Sequence, residues 1–198
     1  MAATPIQPAR GKLLVLTPGM GAVATTFFAG VEAVRQGRAQ PIGSLTQLQT
    51  IRIGKRSEGR FPLIREFVPL ADMGDICFAG WDVFEDTAYD AACRAQVLSP
   101  QDLEPLRAFL STIKPMKAAF LREFVKKLDG PHTKGALHRR ELANELRADI
   151  RRAMADAGAT RAVMVWCGST EVYTTPTAAH ESLAAFEQAL DNNDPSIP

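Results

Sequence analysis

Three stretches of the chain place small, polar or acidic residues directly after an apolar run. The first is Gly19-Met20-Gly21, with Ala24 three residues further on. A G-x-G-x-x-A turn suits phosphate chemistry. Gly19 permits a tight turn, Gly21 has no Cβ and lets an anion approach the backbone, and Ala24 lets the following helix lie close to a sheet. The amides of Ala22 and Val23 would then face a phosphate from a helix N-terminus, assisted by the helix dipole. The second stretch is Gly80-Trp81-Asp82 and the third Gly168-Ser169-Thr170. A dinucleotide site normally takes the ribose on a carboxylate about 20 residues past the turn. Ala39 to Lys55 contains no Asp or Glu, so Asp82 is the available substitute. Plain helix–strand packing is the alternative reading of the turn, and an N-cap for the next helix is the alternative for Asp82.

Other reactive groups lack the spacing that chemistry needs. His132, His138 and His180 have no metal-ligand spacing and read as surface or helix-face residues. Cys77, Cys93 and Cys167 form no CxxC pair and read as buried apolar groups, not a zinc site or disulfide framework. Ser169-Thr170-Glu171 has no histidine at a hydrolase-motif distance. Lys55, Arg56 and Arg60 read as exposed loop charge, not as a reader of a 2′-phosphate. His138-Arg139-Arg140, beside Glu141 and Glu145, reads as a solvated, salt-bridged helix face.

The elements that would position the three stretches can be read from periodicity. Lys12 to Thr17, Asp75 to Gly80 and Arg161 to Trp166 are short, nearly all-apolar runs, the pattern of strands buried on both faces. Thr50, Ile51 and Ile53 suit a further strand. Helices are expected from Ala22 to Gly37, from Asp86 to Leu98, from Ser99-Pro100 to Lys114-Pro115, from Leu137 to Ala157 with a stop at Gly158, and from Ala178 to Leu190. Residues 61–73, with two prolines, read as irregular. Strands alternating with helices predict an α/β fold, a Rossmann-like parallel sheet flanked by helices, with ligands at the carboxyl ends of the strands.

Composition narrows the partners. Lys+Arg number 23 and Asp+Glu 22 in 198 residues, for a net charge of +1. Such a chain has no broad field to gather nucleic acid or an anionic membrane, so any phosphate must be held locally. No run reaches the roughly 18 apolar residues of a membrane span, and the first ten residues do not read as a signal peptide. The expectation is a cytoplasmic protein.

Several of these segments together resemble the inositol-3-phosphate synthase (myo-inositol-1-phosphate synthase) family, specifically its N-terminal NAD-binding half. The residues that carry the resemblance are GMGAVATT at 19–26, GSLTQ at 43–47, TIRIGK at 50–55, GWD at 80–82, RAQVL at 94–98, IKP at 113–115 and VWCGSTE at 165–171. The resemblance implies an NAD enzyme that turns glucose 6-phosphate into inositol 3-phosphate by oxidation, internal aldol closure and reduction on one recycled cofactor. It implies that Gly19, Gly21, Ala22, Val23 and Ala24 cradle the pyrophosphate, that Asp82 holds the adenosine ribose, and that Gly168, Ser169 and Thr170 line the cofactor site. It supplies no catalytic residue and no metal ligand here, and it fades between Lys117 and Lys134. Ala22-Val23-Ala24 and Ser169 are closer to prokaryotic forms than to the asparagine-containing eukaryotic ones. The implied organisation is a flexible tail at 1–11, an NAD-binding domain at 12–190, and a link at 191–198 to a catalytic region that bears the family's lysines. That region or a partner chain would complete the enzyme, which is expected to be a homo-oligomer. A stand-alone nucleotide-binding or regulatory module is the other reading.

Overall fold

The computed structural model describes residues 10–125, 127–168 and 171–197. Its centre is β1, Lys12–Pro18, whose Leu14, Val15 and Leu16 are all buried. A glycine turn leads into α1, Ala22–Arg35, which buries Ala24, Thr25, Phe28, Ala29 and Val31 and stops before Gly37, held at φ +67°. Two single-turn helices follow, α2 at Leu45–Leu48 and α3 at Ile64–Phe67. Then come β2, Ile76–Asp82, and α4, Ala88–Ala95. After α5, Pro100–Leu103, and α6, Arg107–Leu110, the chain forms the two-residue β3, Met116–Lys117. The long α7, Arg139–Ala157, β4, Ala159–Met164, and α8, Leu183–Asp191, complete the order.

The four strands lie parallel in the order β3-β2-β1-β4. Alternation along β1 and β2 sends side chains to two different cores. On one face Met20, Phe28, Leu103, Leu106 and Leu110 pack with Phe78. On the other, Leu14, Leu16, Trp81 and Val83 meet Leu146, Ile150 and Met154 of α7, which recur every four residues along one side of that helix. A buried side chain such as Phe28 contributes roughly 1.5–3 kcal/mol. This is the Rossmann-like parallel α/β class the sequence predicts.

Several local expectations need correction. Thr50–Ile53 is not a sheet strand. It forms one antiparallel bridge, Thr50 to Leu63, in an excursion that leaves after α1 and returns before β2. The patch pairs locally, outside the sheet: the amides of Ile51 and Ile53 donate to the carbonyls of Pro62 and Arg60 at 2.9 and 3.0 Å. The reading of residues 61–73 as irregular misses the turn of α3. The segment after Asp82 bends and is not helical before Thr87, whose side chain caps α4, so Asp82 is not that helix's N-cap. Gln96, at φ +54°, ends α4 earlier than Leu98. The last helix begins at Leu183 because Ser182 caps it; residues 178–180 form a separate 3-10 turn.

Arg139 is not on a solvated face. It is buried, with Nε 2.7 Å from the Ile197 carbonyl. Ile197 itself closes a small cluster with Ala179, Ala189 and Leu190. His138 caps α7 by accepting from the Arg140 amide. His132 is largely buried, its ring between Glu85 and the Pro115 carbonyl. Cys77 and Cys167 are half-buried and pack against the two cores, whereas Cys93 is exposed and is not the buried apolar group expected.

Candidate functional site

The parallel register brings the ends of β1, β2 and β4 together. Pro18 pairs with Trp81, so the turn that follows β1 lies beside the Trp81-Asp82 end of β2. On the other side, Cys167 donates its amide to the Pro18 carbonyl at 3.0 Å, which carries Gly168 up to Gly19. Gly19 is required twice over: its φ is +85°, and a Cβ there would lie 2.8 Å from the Gly168 nitrogen. Gly21, the N-cap of α1, has ordinary φ, and a Cβ there would meet nothing within 4 Å. The helix start is thus open to an incoming group.

No side chain caps α1, and no acidic residue occupies its first turn. The first amides of the helix have no intrahelical acceptor. Ala22 and Val23 are exposed, whereas Ala24 is fully buried beneath them and holds the helix to the sheet. Gly19, Gly21, Ala22, Asp82 and Gly168 all border one cleft of about 920 Å³. Its remaining wall is mainly apolar and includes Phe120, Leu121, Phe124 and Trp166. The size and the few polar groups at one end suit a cofactor-sized ligand. Ser169 and Thr170 lie outside the described residues.

Asp82 does not stand free at the mouth. Its Oδ2 accepts the Met20 amide at 2.7 Å and its Oδ1 the Phe84 amide at 3.1 Å. Next to it, the Trp81 carbonyl accepts the Gly19 amide at 2.9 Å. The Trp81 indole donates to Asp149 Oδ2 at 2.9 Å, and Lys134 Nζ lies 2.6 Å from the same oxygen. Arg152 pairs with the other oxygen of Asp149. Burial opposes ionisation of Asp149, but hydrogen bonds from Lys134 and Trp81, with the Lys134 charge, outweigh it and hold its carboxyl below the usual range. Sequence reading missed Asp149 and Lys134; each sits in a polar stretch with no local signature, and only the fold brings them together.

Burial pushes the Cys167 thiol up, so this cleft-lining cysteine stays protonated near neutrality and is no ready nucleophile. Lys55, Arg56 and Arg60 are exposed on the excursion between α1 and β2, as expected. That excursion is rooted at the amino ends of the strands, away from the glycine turn. A second cavity of about 880 Å³ at its root, bordered by Arg35, Gly37, Arg65 and Asp72, is separate from the cleft. Among the described residues no group of three or more His, Cys, Asp or Glu could hold a metal ion.

The family model for myo-inositol-1-phosphate synthase matches residues 13–198. The chain is 46% identical over 193 residues to inositol-3-phosphate synthase 1 of Bacteroides thetaiotaomicron, covering 97% of this chain and 44% of that protein. It is 28% identical over 201 residues to inositol-3-phosphate synthase 1 of Oryza sativa subsp. japonica, covering 94% of this chain and 40% of the relative. Among solved structures it is similar to inositol-3-phosphate synthase from Caenorhabditis elegans, with a TM-score of 0.86 and 22% identity over 97% of this chain and 41% of that one. At that identity the likeness speaks for the fold. The chain spans less than half the length of these relatives.

Proposed function

The chain belongs to the inositol-3-phosphate synthase (myo-inositol-1-phosphate synthase) family, and from that membership we propose that it supplies the NAD-binding part of an enzyme converting glucose 6-phosphate to inositol 3-phosphate. One observation carries the cofactor assignment: the uncapped start of α1 opens, past Gly21, into a large apolar cleft at the strand ends. In this reading the backbone amides of Ala22, Val23 and Ala24 take the pyrophosphate, and Asp82 stands on the ribose side. Gly168 lines the cofactor site, the role that family membership also suggests for Ser169 and Thr170. Bound there, NAD supplies a hydride acceptor and then a hydride donor, so the overall isomerisation is redox-neutral. The apolar wall of the cleft excludes water from the bound cofactor.

Groups that move protons and neutralise the substrate's developing charge belong, in this proposal, to the larger part of the family chain that has no counterpart here. Lys134 is not a stand-in for them, because its ammonium is spent on buried Asp149. Surface near both ends of the sheet is apolar and open: Ile42 and Leu45 are 86% and 71% exposed, and Trp166 66%. Such surface suits association with a second copy or with the remaining part of the enzyme. The setting we propose is cytoplasmic, with all three cysteines free.

Calorimetric titration with NAD and NADP tests the cofactor reading. The Asp82 carboxylate should repel a 2′-phosphate, so NAD is expected to bind and NADP to bind about tenfold or more weakly. Equal or tighter NADP binding overturns the placement of Asp82 near the ribose.

A further inference from the structure

We propose that Asp82 is a positioning residue that clamps the glycine turn in its phosphate-ready shape, a role separate from any contact with a ribose. The proposal rests on the cofactor reading above for its purpose, but its geometry is that of the protein alone.

Each carboxylate oxygen takes one backbone N–H, and the two come from different loops. Oδ2 accepts from Met20, in the middle of the turn after β1, and Oδ1 accepts from Phe84, in the segment leaving β2. Gly19, one residue earlier in the turn, donates to the carbonyl of Trp81, one residue earlier in β2. Two consecutive amides of the turn are therefore held by two consecutive residues of the neighbouring strand. With these amides drawn toward β2, the chain reverses sharply. Met20 is carried into the core at 1% exposure, and the first amides of α1 are left for the cleft.

The strand end that does the holding is itself fastened. Trp81 is pinned through its indole to Asp149, which Lys134 and Arg152 also hold. The fixed point for the turn is thus α7 and the buried Asp149, on the far side of the sheet. A carboxylate suits Asp82 because it offers acceptors on both atoms. Asparagine would keep one acceptor and aim an NH2 group at a backbone N–H. The remaining lone pairs stay available to a ribose hydroxyl, so the clamp and a ribose contact are compatible.

The test separates the two roles by reading the turn with no cofactor present. Amide hydrogen exchange of the full chain without NAD is compared for the wild type, Asp82→Asn and Asp82→Ala. The amides of Leu14 and Leu16 serve as controls for the sheet. The clamp predicts that Met20 and Phe84 exchange about ten- to a hundredfold faster in Asp82→Ala. In Asp82→Asn at least one of the two is expected to be released, while Leu14 and Leu16 stay protected. NAD affinity should then fall by about tenfold or more in both variants. Unchanged exchange at Met20 and Phe84 overturns the clamp. So does faster exchange with NAD affinity untouched, because the turn would then need no holding. If the wild type binds no NAD yet its Met20 and Phe84 amides are protected and are released by the substitutions, the clamp stands and the cofactor reading falls.

Discussion

Gly19→Ala is expected to destabilise the protein strongly, whereas a larger change two residues away, Gly21→Val, is not. Gly19 sits at φ +85°, and its missing Cβ would lie 2.8 Å from the Gly168 nitrogen, 2.9 Å from the Gly168 Cα and 3.0 Å from the Cys167 carbonyl carbon. The left-handed backbone costs an L-residue about 1–2 kcal/mol. The obstructing atoms are backbone, tied to Pro18 by the Cys167 amide, and forcing them aside adds about 1–3 kcal/mol. The sum, about 2–5 kcal/mol, is a large part of an ordinary domain's stability of about 5–15 kcal/mol. At about 2–4 °C per kcal/mol for a chain of this size, the melting temperature should fall by about 4–20 °C. Gly21 has φ −80° and open space where its Cβ would be. Valine there forfeits only glycine's advantage at an N-cap, about 1 kcal/mol. Its branches would occupy the approach to the helix amides, so NAD affinity should fall about tenfold or more with the fold kept. Thermal and urea melts, with calorimetry on the surviving fold, check both halves. A Gly19→Ala variant that melts with the wild type would refute the close turn-to-strand contact. A Gly21→Val variant that binds NAD normally would refute the phosphate cradle.

Two further outcomes follow from the same geometry. Because the Asp149 carboxyl is held below its unfolded value near 4, its contribution to stability is present above that value and is lost as pH falls through the lower, folded one. Urea melts from pH 7 down to pH 3 should show this acid loss. Asp149→Asn should remove it and also cost about 3 kcal/mol at neutral pH, because buried Lys134 is left with only its longer contact to Glu145, at 3.6 Å; an unchanged acid limb would sink the assignment. The isolated 198-residue chain, given NAD and glucose 6-phosphate, is expected to form no inositol phosphate by chromatographic assay. Turnover by the chain alone would mean that catalytic groups lie within it, and the division of labour proposed above would be wrong.

The parts of the fold that could be read from sequence are those whose cause is local. β1 and β2 announce themselves because nearly every residue is apolar, although the first four residues of β2 are only half-buried. The similar run at 161–166 reads as buried on both faces, but β4 spans Ala159–Met164 and residues 163–166 are exposed. The body of α7 and its stop at Gly158 follow from a four-residue apolar stripe and a C-terminal glycine, whereas its start, capped by His138, does not. The glycine turn is also local, since strand, turn and helix are contiguous. Thr50–Ile53 failed for the opposite reason: β-propensity is a statement about neighbours, and these residues pair only with residues 60–64 of their own excursion, outside the sheet. Arg139 failed likewise. Its charge suggested solvent, but it faces Ile197, 58 residues later, and donates to that residue's carbonyl.

Asp82 shows how the same division runs through the site itself. As an acid closing an apolar run it was visible in the sequence, and its place at a strand end followed. Its hydrogen-bond partner was not visible, because Met20 is 62 residues away. That contact is set by the register of two parallel strands. Pairing Pro18 with Trp81 puts the residue after Trp81 level with the turn that leaves Pro18. A slip of one residue would send the Asp82 side chain to the other face of the sheet and leave the Met20 amide without it. The register is held by Leu14 and Leu16 facing one core and Phe78 another. The hydrophobic pattern that fixes the fold therefore also sets the glycine turn, and the packing of β1 against β2 is a condition for the cradle at the start of α1.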